Sequence, residues 1–325
     1  MSQSSTSSTG RSFPTIRGRH PVFYCLLLLS IPLAAMFASL FVLRTDWFPP
    51  RAGNTYIATI GYGAKLRNAS CDVLINGDSS ALVGVVPETI TQQTGLSACN
   101  ISEFGGMEQV NGRMILETYL KNNARPRFLI FLYAPENLSP RDKWTSVSHF
   151  EGILYRLRTH PDAALVGTLL LQAKELFAFW TLGMRLAVQA FITPPLAEEV
   201  QRARETHGGW LAVPGSILTK CQTNVVLESP DADYANALRR QYGVGGTKVL
   251  VDVTPEPECE PHYDFYAARL PGVIDNSQQK YPLNLYNDSG RLHLIRSGAE
   301  RFSAEIAAQI SAPVTSPVDT SGKPH

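Results

Sequence analysis

The stretch Asp72-Val-Leu-Ile-Asn-Gly-Asp-Ser-Ser-Ala-Leu-Val-Gly84 decides how this chain is read. A short apolar run ends at Gly77, a polar turn follows, and helix-forming residues come next. Pro87 to Thr94 then reads as a helix, with Pro87 in its first turn and Gly95 past its end. Ala98 to Ser102 is a second short strand. Met107 to Asn123 has helical apolar spacing at Met114, Ile115, Thr118 and Tyr119. Arg127-Phe-Leu-Ile-Phe-Leu-Tyr133, bounded by Pro126 and Pro135, is an apolar strand suited to the middle of a parallel sheet. Further on, Ser229-Pro230 opens a helix that ends at Gly243, Thr247 to Val253 is another buried strand, and Ser297 to Ile310 is the last helix. Strands separated by helices, without tight hairpin signals, predict an α/β fold: a three-layer parallel sheet.

The chain has 325 residues, 44% hydrophobic and 18% charged, with a formal net charge of +1. That length allows one large domain or two small ones. The near-neutral charge points away from nucleic acid as a partner. There is no Walker motif, no GxGxxG loop and no Cys/His spacing typical of structural zinc, so neither cofactor nor metal is expected.

Val22 to Leu43 runs without a charge, about 33 Å as a helix and enough for a hydrocarbon layer of ~30 Å. Arg11, Arg17 and Arg19 precede it, which keeps the N-terminus cytoplasmic and the rest of the chain outside. A cleaved signal peptide is the competing reading, with a small-residue site near Ala38-Ser39. The expected organisation is a disordered cytoplasmic N-terminus (1–21), a transmembrane anchor (22–44), an extracytoplasmic domain (54–310) and a disordered tail (311–325). Within the domain, residues 146–206 read as a helical insertion. Its Ala163–Ile192 part is very apolar yet carries Lys174, Glu175 and Arg185. It is either a buried amphipathic hairpin or a segment that enters or rests on the membrane.

In open α/β sheets, sites form beyond the carboxyl ends of strands. Ser79 stands there, with backbone N–H groups nearby that can stabilise an oxyanion. The plainer reading of Gly-Asp-Ser-Ser is a strand-to-helix turn, and Asp78 is read as a turn or cap residue. A nucleophilic Ser needs a base, and the base needs an orienting partner. Near the C-terminus, Tyr286-Asn-Asp-Ser-Gly-Arg-Leu-His293 precedes the last helix and offers His293 as base and Asp288 as orienter. His149, His160, His207 and His262 lack such a setting.

Gly77-Asp78-Ser79 early and Asp288…His293-Leu-x-x-x-Gly298-Ala late resemble the GDSL/SGNH hydrolase superfamily. The run Gly77 to Gly84, with Pro87, Thr94-Gly95 and Asn100, is similar to its membrane-anchored extracytoplasmic branch, associated with O-acylation of alginate and other polysaccharides and D-alanylation of teichoic acids. The resemblance covers about residues 70–135 and 247–310. It implies a flavodoxin-like sheet, Ser79 as nucleophile and His293 as general base. It also implies Gly105 or Gly106 and Asn137 as oxyanion donors. The family spaces its Asp three residues before the His. Here Gly290 stands there and Asp288 lies five before, so either the loop holds an insertion or the carboxylate comes from elsewhere.

The resemblance leads to the expectation of a serine acyl-esterase or O-acyltransferase working on a cell-surface or exported polysaccharide. A multi-span membrane acyltransferase would be its partner. A non-catalytic accessory subunit of a polysaccharide acylation or export complex is the alternative.

Cys71, Cys99, Cys221 and Cys259 would lie in an oxidising compartment. Cys71 just precedes the first strand and Cys99 begins the second. If these strands are parallel neighbours about 4.8 Å apart, a Cys71–Cys99 disulfide fits between them. Cys221–Cys259 would join two loops. Four unrelated buried thiols are the alternative. Asn-x-Ser triplets begin at Asn68, Asn100, Asn137 and Asn287.

Overall fold

A computed structural model describes residues 21–45, 47–48, 55–140, 163, 166, 173–192, 196–221, 231–260, 280–290 and 292–311. Its centre is a four-stranded parallel sheet, formed by β1 (Val73–Gly77), β2 (Ala98–Asn100), β3 (Phe128–Tyr133) and β4 (Lys248–Val253) in the order β2-β1-β3-β4. β1 pairs with β3 from Val73↔Phe128 to Gly77↔Leu132, so Ser79 emerges at the carboxyl edge of a central strand.

Alternation along the strands divides the core in two. Leu74, Leu129, Phe131, Tyr133, Val251 and Val253 face one layer. That layer is built from α2 (Thr55–Lys65), α6 (Met114–Asn122), α7 (Ala173–Ile192) and α9 (Ala232–Tyr242). Val73, Ile75, Ile130 and Leu132 face the other. There they meet α3 (Ser79–Gly84), α4 (Pro87–Thr94) and α10 (Arg296–Ser311). The expected α/β architecture of three layers is therefore present.

The helix expected over Met107–Asn123 is two helices. α5 (Met107–Val110) is separated from α6 by Gly112 at φ 71° and Arg113 at φ 56°, a left-handed pair that breaks the helical ladder. The helix expected from Ser229-Pro230 begins at Ala232, capped by Asp231, whose side chain accepts from the Tyr234 N–H; residues 222–230 lie outside the described residues. Of the insertion, α7 and α8 (Leu196–Thr206) are described, and α7 buries Leu186, Ala187 and Ala190 in the first core. The same helix exposes Phe177, Val188, Phe191 and Ile192, and most of residues 146–172 lies outside the described residues, as do the 1–20 and 312–325 ends.

Arg204, on α8, is fully buried and donates to four backbone carbonyls, those of Gly209, Thr59, Asn100 and Ser102. This guanidinium ties the insertion to the exit of β2 and to α2. Burial holds its pKa down, at about 10, against the attraction of Tyr62 and Glu103.

Both expected disulfides are formed, Cys71–Cys99 with a Cα separation of 5.8 Å and Cys221–Cys259 with 6.2 Å. The first links the amino-terminal ends of β1 and β2. Two disulfides fit an oxidising, extracytoplasmic compartment. Cys25 is free. It lies on α1 (Pro21–Arg44), whose Leu26–Leu29, Ile31, Leu33, Phe37 and Phe41 side chains are exposed. Among the described residues, no helix is long and apolar enough to cross a membrane, so the anchor expected at 22–44 is not shown here.

Candidate active site

The turn after β1 is built by three residues. Gly77 has no room for a side chain: a Cβ would sit 1.7 Å from the Leu132 carbonyl oxygen, so only glycine lets β1 and β3 stay paired to this point. Asp78 is the N-cap of α3. Its Oδ1 accepts from the Ser80 N–H at 2.9 Å and the Ser80 hydroxyl at 2.5 Å. Its Oδ2 accepts from the Ala134 N–H at 2.9 Å and from Asn137 Nδ2 at 2.6 Å. The expected cap residue is thus also a brace that fastens the β1 turn to the loop after β3. Ser79, half-buried, is the first residue of α3, and the N–H of the next residue, Ser80, is the one taken by Asp78.

The loop after β2 runs along the same edge. The Glu103 N–H donates to the Gly77 carbonyl at 3.0 Å, which lays the Phe104–Gly106 turn beside the end of β1. Gly105 adopts φ 66° in that turn. Asn137 sits in the Pro135–Asn137 turn after β3, bonded to Asp78 by its amide and to Gln109 Nε2 by its carbonyl. Gly105, Gly106 and Asn137 therefore lie on turns at the carboxyl edge that carries Ser79.

His293 arrives from the other end of the chain. It precedes α10, which packs on α3 and α4, and the Ser303 hydroxyl accepts the Val86 N–H at 2.8 Å. The imidazole is buried and its centroid lies 6.3 Å from that of Phe104. Burial lowers its pKa, and the negative charge of Asp78 opposes that shift. The strand-end turn, the Phe104–Gly106 turn and His293 thus converge. No hydrogen bond joins Ser79 to His293 among the described residues.

Asp288 is not where the sequence suggested. Its Oδ1 accepts from the Ser216 N–H at 2.8 Å, and its own N–H donates to the Ser216 carbonyl at 2.9 Å. An Ile217↔Asn287 bridge lies next to this pairing, and no hydrogen bond joins Asp288 to His293 among the described residues. The side chain that meets His293 Nδ1 is the Ser289 hydroxyl, at 3.0 Å. At Gly290, where the family resemblance would put the acid, a Cβ would lie 2.5 Å from His293 Cε1. The ring crosses directly over that residue.

Sequence reasoning did not pick out Ser289 as a partner of the base. The Asn-x-Ser spacing was the available signal, because Asn at a turn favours side-chain bonds to the residue two positions on. Nor did it find the buried cluster beneath the turn. There Glu108 accepts from the Tyr133 hydroxyl at 2.5 Å, and Arg113 donates to the Tyr234 and Tyr242 hydroxyls at 2.7 and 3.2 Å. Burial pushes Glu108 up to about 7, against the pull of Arg113. Among the described residues no group of His, Cys, Asp and Glu could hold a metal ion.

No protein-family model, curated protein or solved structure matches this chain.

Proposed function

We propose that this protein is a serine acyl-esterase or O-acyltransferase of the SGNH type, acting outside the cytoplasmic membrane on a cell-surface or exported polysaccharide. One observation carries the reading: the Phe104–Gly106 turn, tied to the end of β1 by the Glu103 N–H to Gly77 carbonyl bond just before Ser79, also packs against His293, with ring centroids 6.3 Å apart. The strand order β2-β1-β3-β4 agrees with the doubly wound arrangement in which such sites form.

In the proposed reaction, a Ser79 Oγ lone pair forms a bond to the acyl carbonyl carbon, and the hydroxyl proton passes to His293 Nε2. The resulting oxyanion is met by N–H groups at the start of α3, with the Phe104–Gly106 turn and Asn137 as further candidates. Its collapse breaks the bond to the leaving alcohol or thiol, which takes the proton from His293. An acyl-Ser79 remains. A sugar hydroxyl, or water, then repeats the sequence in reverse with its own proton going to His293. A neutral imidazole is needed for both attacks, and burial of His293 favours that form.

The apolar exposed surface of α1 and its basic N-terminal flank support an anchor over Val22–Leu43, with a multi-span membrane acyltransferase as donor. A second reading, a non-catalytic accessory subunit of a polysaccharide acylation or export complex, is favoured by one observation. Asp288 is diverted from His293. The test is turnover. Full-length protein is incubated with p-nitrophenyl acetate, with and without a glycan oligomer. Release of nitrophenol and acetylation of the glycan that vanish in Ser79→Ala and His293→Ala support the enzyme. Turnover that persists in both variants refutes it, and none in wild type favours the accessory reading.

A further inference from the structure

We infer that Ser289 and Asn287 replace the missing carboxylate, forming a neutral relay that holds His293 in the Nδ1–H tautomer with Nε2 free to take a proton. The relay belongs to the acyl-transfer site proposed above and deepens that reading.

The hydrogen positions follow by elimination. The backbone N–H of Ser289 donates to Asn287 Oδ1 at 3.0 Å. A backbone N–H can only donate, so the atom it meets is the amide oxygen and not the nitrogen. The Ser289 hydroxyl meets the same oxygen and must donate to it. A hydroxyl has one proton. Having given it to Asn287, Ser289 Oγ can only accept from His293 Nδ1, which lies 3.0 Å away. A neutral imidazole carries one N–H. Nδ1 holds it, and Nε2 is left as the basic nitrogen.

The loop is built to keep this geometry. The Asn287 N–H donates to the His293 carbonyl at 2.9 Å, and the His293 N–H to the Gly290 carbonyl at 3.3 Å. Tyr286 bridges Leu294 on the outside of the turn. Asn287 is buried, so it is held against Ser289 rather than solvated. Gly290 leaves the space that the ring occupies. Asp78 is the carboxylate whose charge reaches the ring, and it is committed to its four donors. A relay without its own charge orients the base but gives the imidazolium less support than an adjacent carboxylate would.

Ser289 and Asn287 act through His293 and are positioning residues. Their test has a readout independent of turnover. In full-length protein in detergent micelles, labelled with nitrogen-15 at histidine, the His293 signal is assigned by its loss in His293→Ala. The wild type is expected to show Nδ1–H with unprotonated Nε2. Ser289→Ala should lose that preference and slow labelling of Ser79 by a fluorophosphonate about tenfold or more. Ser289→Thr, which keeps a hydroxyl, should retain both. Asn287→Asp should raise the His293 pKa and move the acid limb of the labelling profile to higher pH. An Nε2–H tautomer in the wild type would overturn the relay, as would a Ser289→Ala variant with unchanged tautomer and labelling rate. A wild type that shows Nδ1–H but never labels sustains the relay and ends the acyl-transfer reading.

Discussion

Replacing Asp78 by Asn changes one oxygen to an NH2 group and keeps the shape. The carboxylate accepts four hydrogen bonds, two on each oxygen. On each side one donor is a backbone N–H that cannot become an acceptor: Ser80 on one, Ala134 on the other. The remaining donors, the Ser80 hydroxyl and the Asn137 amide, can turn. Whichever way the new amide lies, one buried backbone N–H loses its acceptor, at about 1–3 kcal/mol. The surviving bonds also lose their charge assistance, roughly another 1 kcal/mol in total once relief from burying a charge is included. The expected loss is about 2–4 kcal/mol of folding stability. Asp78→Ala should lose more, since it removes all four acceptors. Urea unfolding of the full-length protein, followed by tryptophan fluorescence, measures this as a lower midpoint at unchanged slope. The His293 pKa should fall further in Asp78→Asn, because the Asp78 charge raises it. Stability within about 0.5 kcal/mol of wild type would refute the brace, since surface changes without such a role fall in that range.

Three other outcomes follow from the buried groups. Glu108 holds its proton to about pH 7 in the folded state against an ordinary value of 4.5, so stability should fall as pH rises between these values and level off above. The loss should approach roughly 3 kcal/mol, and Glu108→Gln should abolish it when denaturation midpoints at pH 5 and pH 8 are compared. Arg204→Met removes the guanidinium that donates to four backbone carbonyls and should lower stability by about 3–5 kcal/mol, read from thermal unfolding. Converting Cys71 and Cys99 together to Ser opens a loop with a sequence separation of 28 and should cost about 3 kcal/mol in chemical denaturation.

How much of this was legible in the sequence depends on the range of the determining contacts. β1, the Gly77-Asp78-Ser79 turn and α3 are decided within a dozen residues, and they form as read. The last helix was equally local, and it packs on α3 just after His293. The Cys71–Cys99 bond followed once two strands were taken as parallel neighbours. The sequence left the source of the carboxylate open, because the partner of Asp288 is the Ser216 backbone, in an irregular segment whose path no periodicity reveals. The break between α5 and α6 had a local signal, Gly112, which the apolar spacing on either side outweighed. Arg204 stood in a charged helix, α8, and nothing in its surroundings marked it as buried. The Glu108 cluster draws on α5, β3, α6 and α9, and no local pattern joins them.

If Ser79 is a nucleophile activated by His293, an electrophile that traps serine nucleophiles will bond to it. The full-length protein is treated with a fluorophosphonate, digested and mapped by mass spectrometry. A single phosphonyl adduct is expected on Ser79, absent in Ser79→Ala and slowed by several orders of magnitude in His293→Ala. An adduct on another residue, or equal labelling of Ser79 in His293→Ala, would contradict it.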